Sequence, residues 1–170
     1  MKYVVTLSIN LSGDKKDVSS RPCETIEEAL EIFPAHGSNS RTDAVRSEPA
    51  FNCLSITERD KIVAVYTKAM NTKTNSVEWV VRSLNDKEFA ANEALVKSAL
   101  SDIEKQVREA VTEAQLDKLH ERLQTEVKTD IDDLARANSQ YDTADFHKTR
   151  RHLADRCGKR IAEIRRQTGT

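Results

Sequence analysis

Side chains able to do chemistry are sparse in this chain, and the densest group of them is basic. Near the C-terminus stand Lys148, Arg150, Arg151, Arg156, Lys159, Arg160, Arg165 and Arg166, residue types that grip phosphate oxygens. Placed on a helical wheel they surround an apolar stripe instead of forming one band. Asp155 interrupts the best row, Lys148–Lys159–Arg166. No aromatic residue is interleaved to stack on bases, and no nucleic-acid-binding motif is present. Lys148, Arg151, Arg156, Lys159 and Arg166 are the candidate contacts to a protein partner or to nucleic acid, and Arg150 falls inside the stripe.

The remaining candidates are weaker. His36-Gly37-Ser38-Asn39-Ser40-Arg41, with Arg46 nearby, offers polar groups for phosphate binding or catalysis. It has neither the G-x-x-x-x-G-K-[ST] spacing of a phosphate loop nor the G-x-S-x-G of a nucleophile elbow. Ser, Asn and Gly are also what an ordinary turn uses. His147 and His152 are five apart, so they point about 140° away from each other on a helix and cannot share a metal as an i, i+4 pair does. His36 and His120 have no partner in sequence. Cys23, Cys53 and Cys157 form no C-x-x-C pair, so neither a disulfide framework nor a zinc site is expected. Cys53 sits in a strand-like run, where a buried thiol is commoner than a nucleophile. The expectation is a non-enzymatic protein with no cofactor and no metal.

These residues need elements to hold them. The chain has 170 residues, 38% hydrophobic and 32% charged, a balance that builds a thin core and suits elongated helical shapes. Apolar residues recur at regular spacings through nearly the whole length, which argues against disorder. All three prolines precede residue 50, and no glycine lies between Gly37 and Gly158. That division predicts a small head, residues 1–84, and a helical part, residues 85–170.

In the head, Tyr3, Val5, Leu7, Ile9 and Leu11 alternate as in a half-buried strand. A polar stretch with Gly13, Lys15, Lys16, Asp17 and Pro22 follows. Thr25 to Glu28 reads as a capping box opening a short helix, with Ile26, Ala29, Leu30 and Phe33 on one face and Pro34 ending it. Residues 34–50 read as a long polar loop. Phe51–Ile56 and Val77–Leu84 read as strands. Lys61–Ala69 suits a strand better than a helix, because Asn71 to Asn75 makes a hairpin connection. The head is thus a β-meander plus a short helix.

In the helical part, Leu100, Ile103, Val107, Ala110 and Ala114 advance by threes and fours, and Leu116, Leu119, Leu123, Val127, Ile131 and Leu134 resume after a phase slip near Thr112. Either one helix runs through with a stutter, or two are parted at Thr112-Glu113-Ala114-Gln115, itself a capping-box sequence. A polar reversal at 137–142 leads to a last helix carrying Phe146, Leu153, Cys157, Ile161 and Ile164, with Gly158 as a site for a kink. Residues 1–85, 86–136 and 137–170 carry net charges of 0, −5 and +4. Folding the last two segments together sets Asp130, Asp132 and Asp133 near Lys148, Arg150 and Arg151.

The fold expected is therefore α+β, with a long antiparallel helical hairpin, coiled-coil-like, following the head. Two helices cannot cover both apolar sides of such an arm. The Leu116–Leu134 seam is then an interaction surface for another protein or a second copy. The function expected is a protein–protein interaction module: an adaptor, inhibitor or assembly component. The alternative is a nucleic-acid-binding regulator using the basic last helix. No leader or membrane span is legible, and scattered reduced thiols fit a cytoplasmic protein.

Overall fold

The computed structural model describes residues 1–11, 14–35 and 51–169. The predicted loop lies, from His36 onward, outside the described residues, and with it His36, Arg41 and Arg46. The chain is α+β and separates into two compact units, Met1–Asn85 and Asp86–Thr170.

In the first unit, β1 (Tyr3–Leu11), β2 (Asp14–Cys23), β3 (Cys53–Glu58), β4 (Lys61–Asn71) and β5 (Ser76–Arg82) form one antiparallel sheet in the order β2-β1-β3-β4-β5. Alternation in β1 works as expected, with Val5 and Leu7 buried opposite Ile56 and Leu54 of β3. Helix α1 (Ile26–Ile32) lays Ala29 over that face, and Phe33 follows it into the same core. Thr25 caps α1 by accepting from the Glu28 amide at 3.0 Å. The return bond of Glu28 goes to the Glu24 amide at 2.7 Å, one residue earlier than a capping box places it.

One feature departs from the sequence reading. The polar stretch after β1 is a strand, β2, whose only buried side chain among those described is Cys23. Period-2 hydrophobicity is absent because an outermost strand with little burial needs none. Lys61–Asn71 is a strand, as favoured, joined to β3 by a tight turn with Arg59 and Asp60 at φ 51° and 66°. Both central residues are left-handed, as the twist of a two-residue hairpin requires.

The second unit begins with α2 (Asp86–Glu109). Of the two readings at Thr112 the parted one holds. Thr112 caps α3 (Glu113–Arg122), its hydroxyl accepting from the Gln115 amide at 3.2 Å while the Gln115 side chain accepts from the Thr112 amide at 3.1 Å. A π-helical turn, Leu123–Val127, joins α3 to α4 (Lys128–Ala137), and α5 (Ala144–Gln167) closes the unit. Arg156 of α5 reaches Glu104 of α2, whereas Arg165 of α5 reaches Glu113 of α3 and His147 of α5 reaches Asp132 of α4. Thus α2 and α5 run one way and α3–α4 the other. In place of a two-helix arm stands a three-helix bundle.

The π turn has a legible cause. Leu119, Leu123, Val127 and Ile131 are spaced by four, and each such step overruns a full α-helical turn by about 40°. A turn of i→i+5 bonding winds more slowly and takes up that lead, so all four stay buried in one core. Gly158 does not break α5, which is continuous through it.

Candidate functional site

The predicted seam is the interior of the bundle. Leu116, Leu123 and Ile131 are fully buried, and Leu119, Val127 and Leu134 nearly so. They pack against Val96, Leu100, Ile103 and Val107 of α2 and Leu153, Ala154 and Cys157 of α5. The expectation that a partner must cover this seam fails because the chain reverses at Ala110–Thr112 and α2 covers it. Ala114, expected to continue the Leu100, Ile103, Val107 and Ala110 stripe, is exposed in the first turn of α3.

The basic residues divide. Arg150 is buried, as its place in the stripe implies, and donates to Gln124 Oε1 at 2.8 Å and His147 Nδ1 at 3.3 Å. Arg160 donates to the Ala110 carbonyl at 2.9 Å and to Glu163 at 2.7 Å. The Ala110 carbonyl lies just past the C-terminus of α2, where a cation offsets the helix dipole. Arg165 pairs with Glu113 at 2.6 Å, and Arg156 with Glu104 at 3.9 Å. Lys148, Arg151, Lys159 and Arg166 are exposed, as is His152. Of the expected acidic partners, Asp132 meets His147 at 3.0 Å and Asp133 pairs with Arg136 in its own helix at 2.7 Å. The basic set is therefore partly consumed in holding the bundle and partly displayed.

At one end of the bundle Tyr141 packs edge-on against Phe89, ring centroids 4.9 Å apart, and its hydroxyl donates to Glu93. Burial, followed by that carboxylate, pushes the Tyr141 pKa up to about 12. The Tyr141 and Lys97 hydrogen bonds hold the Glu93 carboxyl below its ordinary range. Tyr141 thus clasps the α4–α5 connection to α2. The sequence reading had called this connection merely polar.

Cys23, Cys53 and Cys157 are all buried and free, and burial raises the thiol pKa of Cys23 and Cys157, which holds them as inert thiols. Among the described residues no three His, Cys, Asp or Glu side chains could hold a metal ion. No helix among them is long and apolar enough to cross a membrane. A shallow groove between α3 and α5, about 650 Å³, runs over Ala154 and Gly158 with Asp117, His120 and Lys159 at its rim.

The surface that stands out was read in the sequence only as a strand. β5, Ser76-Val77-Glu78-Trp79-Val80-Val81-Arg82, is paired to β4 on one side and is, among the described residues, the last strand of the sheet. Val81 is 62% exposed and Val80 46%, with Met70, opposite Val77, at 57%. Trp79 is half-buried and fixed by a 2.6 Å bond from its indole N–H to the Phe33 carbonyl at the end of α1. Lys68 lies over its ring at 5.5 Å, with its pKa lowered by burial. Outer strands expose backbone donors and acceptors, and proteins blunt them with Pro, Lys and clustered charge. β2, at the opposite edge, does so with Lys15, Lys16, Asp17, Arg21 and Pro22. β5 has neither Pro nor Lys, and its two charges, Glu78 and Arg82, leave three valines and a tryptophan between and beside them.

Comparisons with models of known protein families, with curated proteins and with solved structures found no match for this chain.

Proposed function

We propose that this chain is a non-enzymatic protein–protein interaction module that binds through the outer edge of its sheet, strand β5. The observation carrying this reading is the combination of unblunted strand and exposed side chains: Val80 and Val81 stand in solvent on a strand whose neighbour Trp79 is already fixed in place. An extended segment added beside β5 takes up its outward backbone groups and lays side chains against the alternating valines, as in β-strand addition. A pinned tryptophan beside that edge lowers the ordering cost of docking. Binding through the helical seam is not part of the proposal, because those side chains fill the bundle.

Hydrogen exchange tests it. Outward-facing β5 amides should exchange quickly in dilute, partner-free chain and slow markedly in a complex. Amides of β2 should not change. A complex that protects only α3 or α5 overturns the reading.

One observation favours a second reading, a nucleic-acid-binding regulator: Lys148, Arg151, Lys159 and Arg166 are displayed on α5. Phosphate contacts make log K fall by about 0.9 per contact per decade of salt on duplex DNA. Lys159→Ala and Arg166→Ala should each reduce that slope by about one contact and leave the fold intact. Arg156→Ala should cost the pairing with Glu104 as well. Binding to short oligonucleotides that is tight, salt-sensitive and unaffected by β5 substitutions would put this reading first.

A further inference from the structure

The edge reading leaves open what lies beside β5, and the strand's own sequence supplies an answer. We infer that the segment β5 takes up is β5 of a second copy of this chain, antiparallel and centred on Val80, so that two five-stranded sheets join into one. The inference rests on the proposal that β5 is the binding edge and names its occupant.

A twofold axis normal to the sheet is the symmetry that sets two identical edges side by side in antiparallel sense, and it makes the contact self-complementary. It also keeps each side chain on its own face, so residue pairs must share a face. Three registers bring the exposed apolar positions together. Centred on Val81, the pairing sets Val81 against itself and Val80 against Arg82, leaving a guanidinium facing an isopropyl group. Centred on Trp79, the pairing sets Trp79 against itself and Glu78 against Val80, leaving a carboxylate facing an isopropyl group. Centred on Val80, it sets Glu78 against Arg82, Trp79 against Val81, and Val80 against Val80. Every pair in the Val80-centred register is of a kind that stabilises sheets: opposite charges, an aromatic with a β-branched residue, and two β-branched residues. By symmetry the ion pair and the Trp79–Val81 contact each occur twice.

This register also accounts for the least expected exposures. Val81, 62% exposed, gains the half-buried indole of Trp79 from the other copy, and Val80, 46% exposed, gains its own counterpart. Glu78 accepts from the Asn71 side-chain amide at 3.2 and 3.3 Å, an uncharged donor that an opposing guanidinium joins or replaces. At the far edge of the sheet, β2 is a poorer self-match: centred on Ser19 it sets Asp17 against Arg21 but Lys16 against Pro22, and Pro22 withholds a donor.

An interface of one short strand from each copy is small, so the dimer should be concentration-dependent. The experiment uses the full chain. Sedimentation over a wide concentration range should show monomer passing to dimer. Glu78→Arg sets guanidinium against guanidinium twice and should weaken the dimer tenfold or so. Adding Arg82→Glu to the same chain should restore it. Independently of that charge swap, Val80→Cys should form an intermolecular disulfide on mild oxidation. Val81→Cys should not, because residue 81 faces Trp79 of the other copy. The three native thiols are buried, so the unsubstituted chain is the background for this measurement.

Dimerisation with preferential cross-linking at position 80 and rescue by the charge swap supports the inference. Preferential cross-linking of Trp79→Cys, or a dimer indifferent to Glu78→Arg, overturns the register. A chain that stays monomeric at all concentrations, yet shows β5 protection when an added extended peptide binds, overturns the second copy and leaves the edge reading standing. A monomer whose β5 amides no peptide protects overturns both.

Discussion

Two lines of apolar side chains run through this molecule, and the structure disposes of them in opposite ways. Leu116 to Leu134 is the longer and the more conspicuous in sequence. It belongs to a strip that has an α-helix to either side, and it is buried throughout. Val77 to Val81 is short, lies at the end of a sheet, and leaves two valines largely in solvent. The length of an apolar stripe thus says little about its availability. What decides is whether the same chain returns to cover it. The α2–α3 reversal at Ala110–Thr112 supplies a cover for the seam, whereas no strand beyond β5 exists among the described residues. An interaction surface is then to be sought where covering stops, not where hydrophobicity is greatest.

That contrast is open to being broken, most forcefully at Leu123, which has no measurable exposure. Leu123→Asp replaces a core side chain with a carboxylate that has no partner there. Losing the packing alone costs about 2–5 kcal/mol, and the buried charge adds to it. The bundle should be unfolded or grossly destabilised at 25 °C by circular dichroism. A melting curve like that of the parent chain would place Leu123 at the surface and return the seam to the list of docking faces.

A smaller loss is expected at Arg150, the one basic residue of α5 that the bundle buries. Arg150→Ala removes the donations to Gln124 and His147 and the packing of the aliphatic stem, about 1–3 kcal/mol in all. Arg150→Met keeps the stem and should recover part of that in chemical denaturation. If both variants matched the parent, the displayed and structural sets of basic residues would not be distinct.

Tyr141 gives a pH-dependent version of the same test. Glu93 has a lowered folded pKa, so its contribution is present above its ordinary value of 4.5 and fades as pH falls through the lower folded value. Tyr141 has a raised one, so its contribution is present below the ordinary 10.0 and is lost as pH climbs toward about 12. Between those limits the contact should hold fully. Tyr141→Phe should cost about 1 kcal/mol at neutral pH and flatten the acid limb of stability against pH. Identical acid limbs in parent and variant would remove Tyr141 from the account.

Much of this architecture was legible because its periodicities are strong. The alternation of β1, the α1 face with Thr25, the turn at 71–75 and the stripes of all three long helices follow from spacing alone. What escaped notice did so for identifiable reasons. β2 carries charge and proline where an inner strand carries aliphatics, so an edge strand resembles a loop. The choice at Thr112 depended on whether α2 packs back, a long-range fact that a capping box can permit but not impose. The π turn was foreshadowed only by three consecutive spacings of four. Of the candidate site, Trp79 and Val81 fall within the Val77–Leu84 strand that the sequence predicts. That their strand is the last in its sheet could not be seen, because sheet order is set by pairings between distant segments. The basic residues were identified by type and Arg150 by its place in the stripe, but only geometry separates Arg160 and Arg165, engaged in the bundle, from Lys148, Arg151 and Lys159 on its surface.

The smallest expected effect on stability is the most informative one. Val81→Lys puts a charge into an apolar line, as Leu123→Asp does, yet at a position 62% exposed. A lysine there keeps its ammonium in water while its stem lies along the strand. The folded monomer should therefore change by no more than about 0.5 kcal/mol, as exposed substitutions usually do. Lysine is also the residue natural edges use to refuse a neighbouring strand. In the pairing centred on Val80 it would face the indole of the second copy, two ammonium stems entering the interface on the face opposite to its Glu78 carboxylates. Melting of dilute chain should match the parent, while dimer formation at high concentration and protection of β5 amides should both disappear. A variant that melts like the parent and associates like it would mean that the edge, for all its exposure, is not where this protein makes contact. One that unfolds would mean that Val81 is covered after all, and the difference between seam and edge would be one of degree.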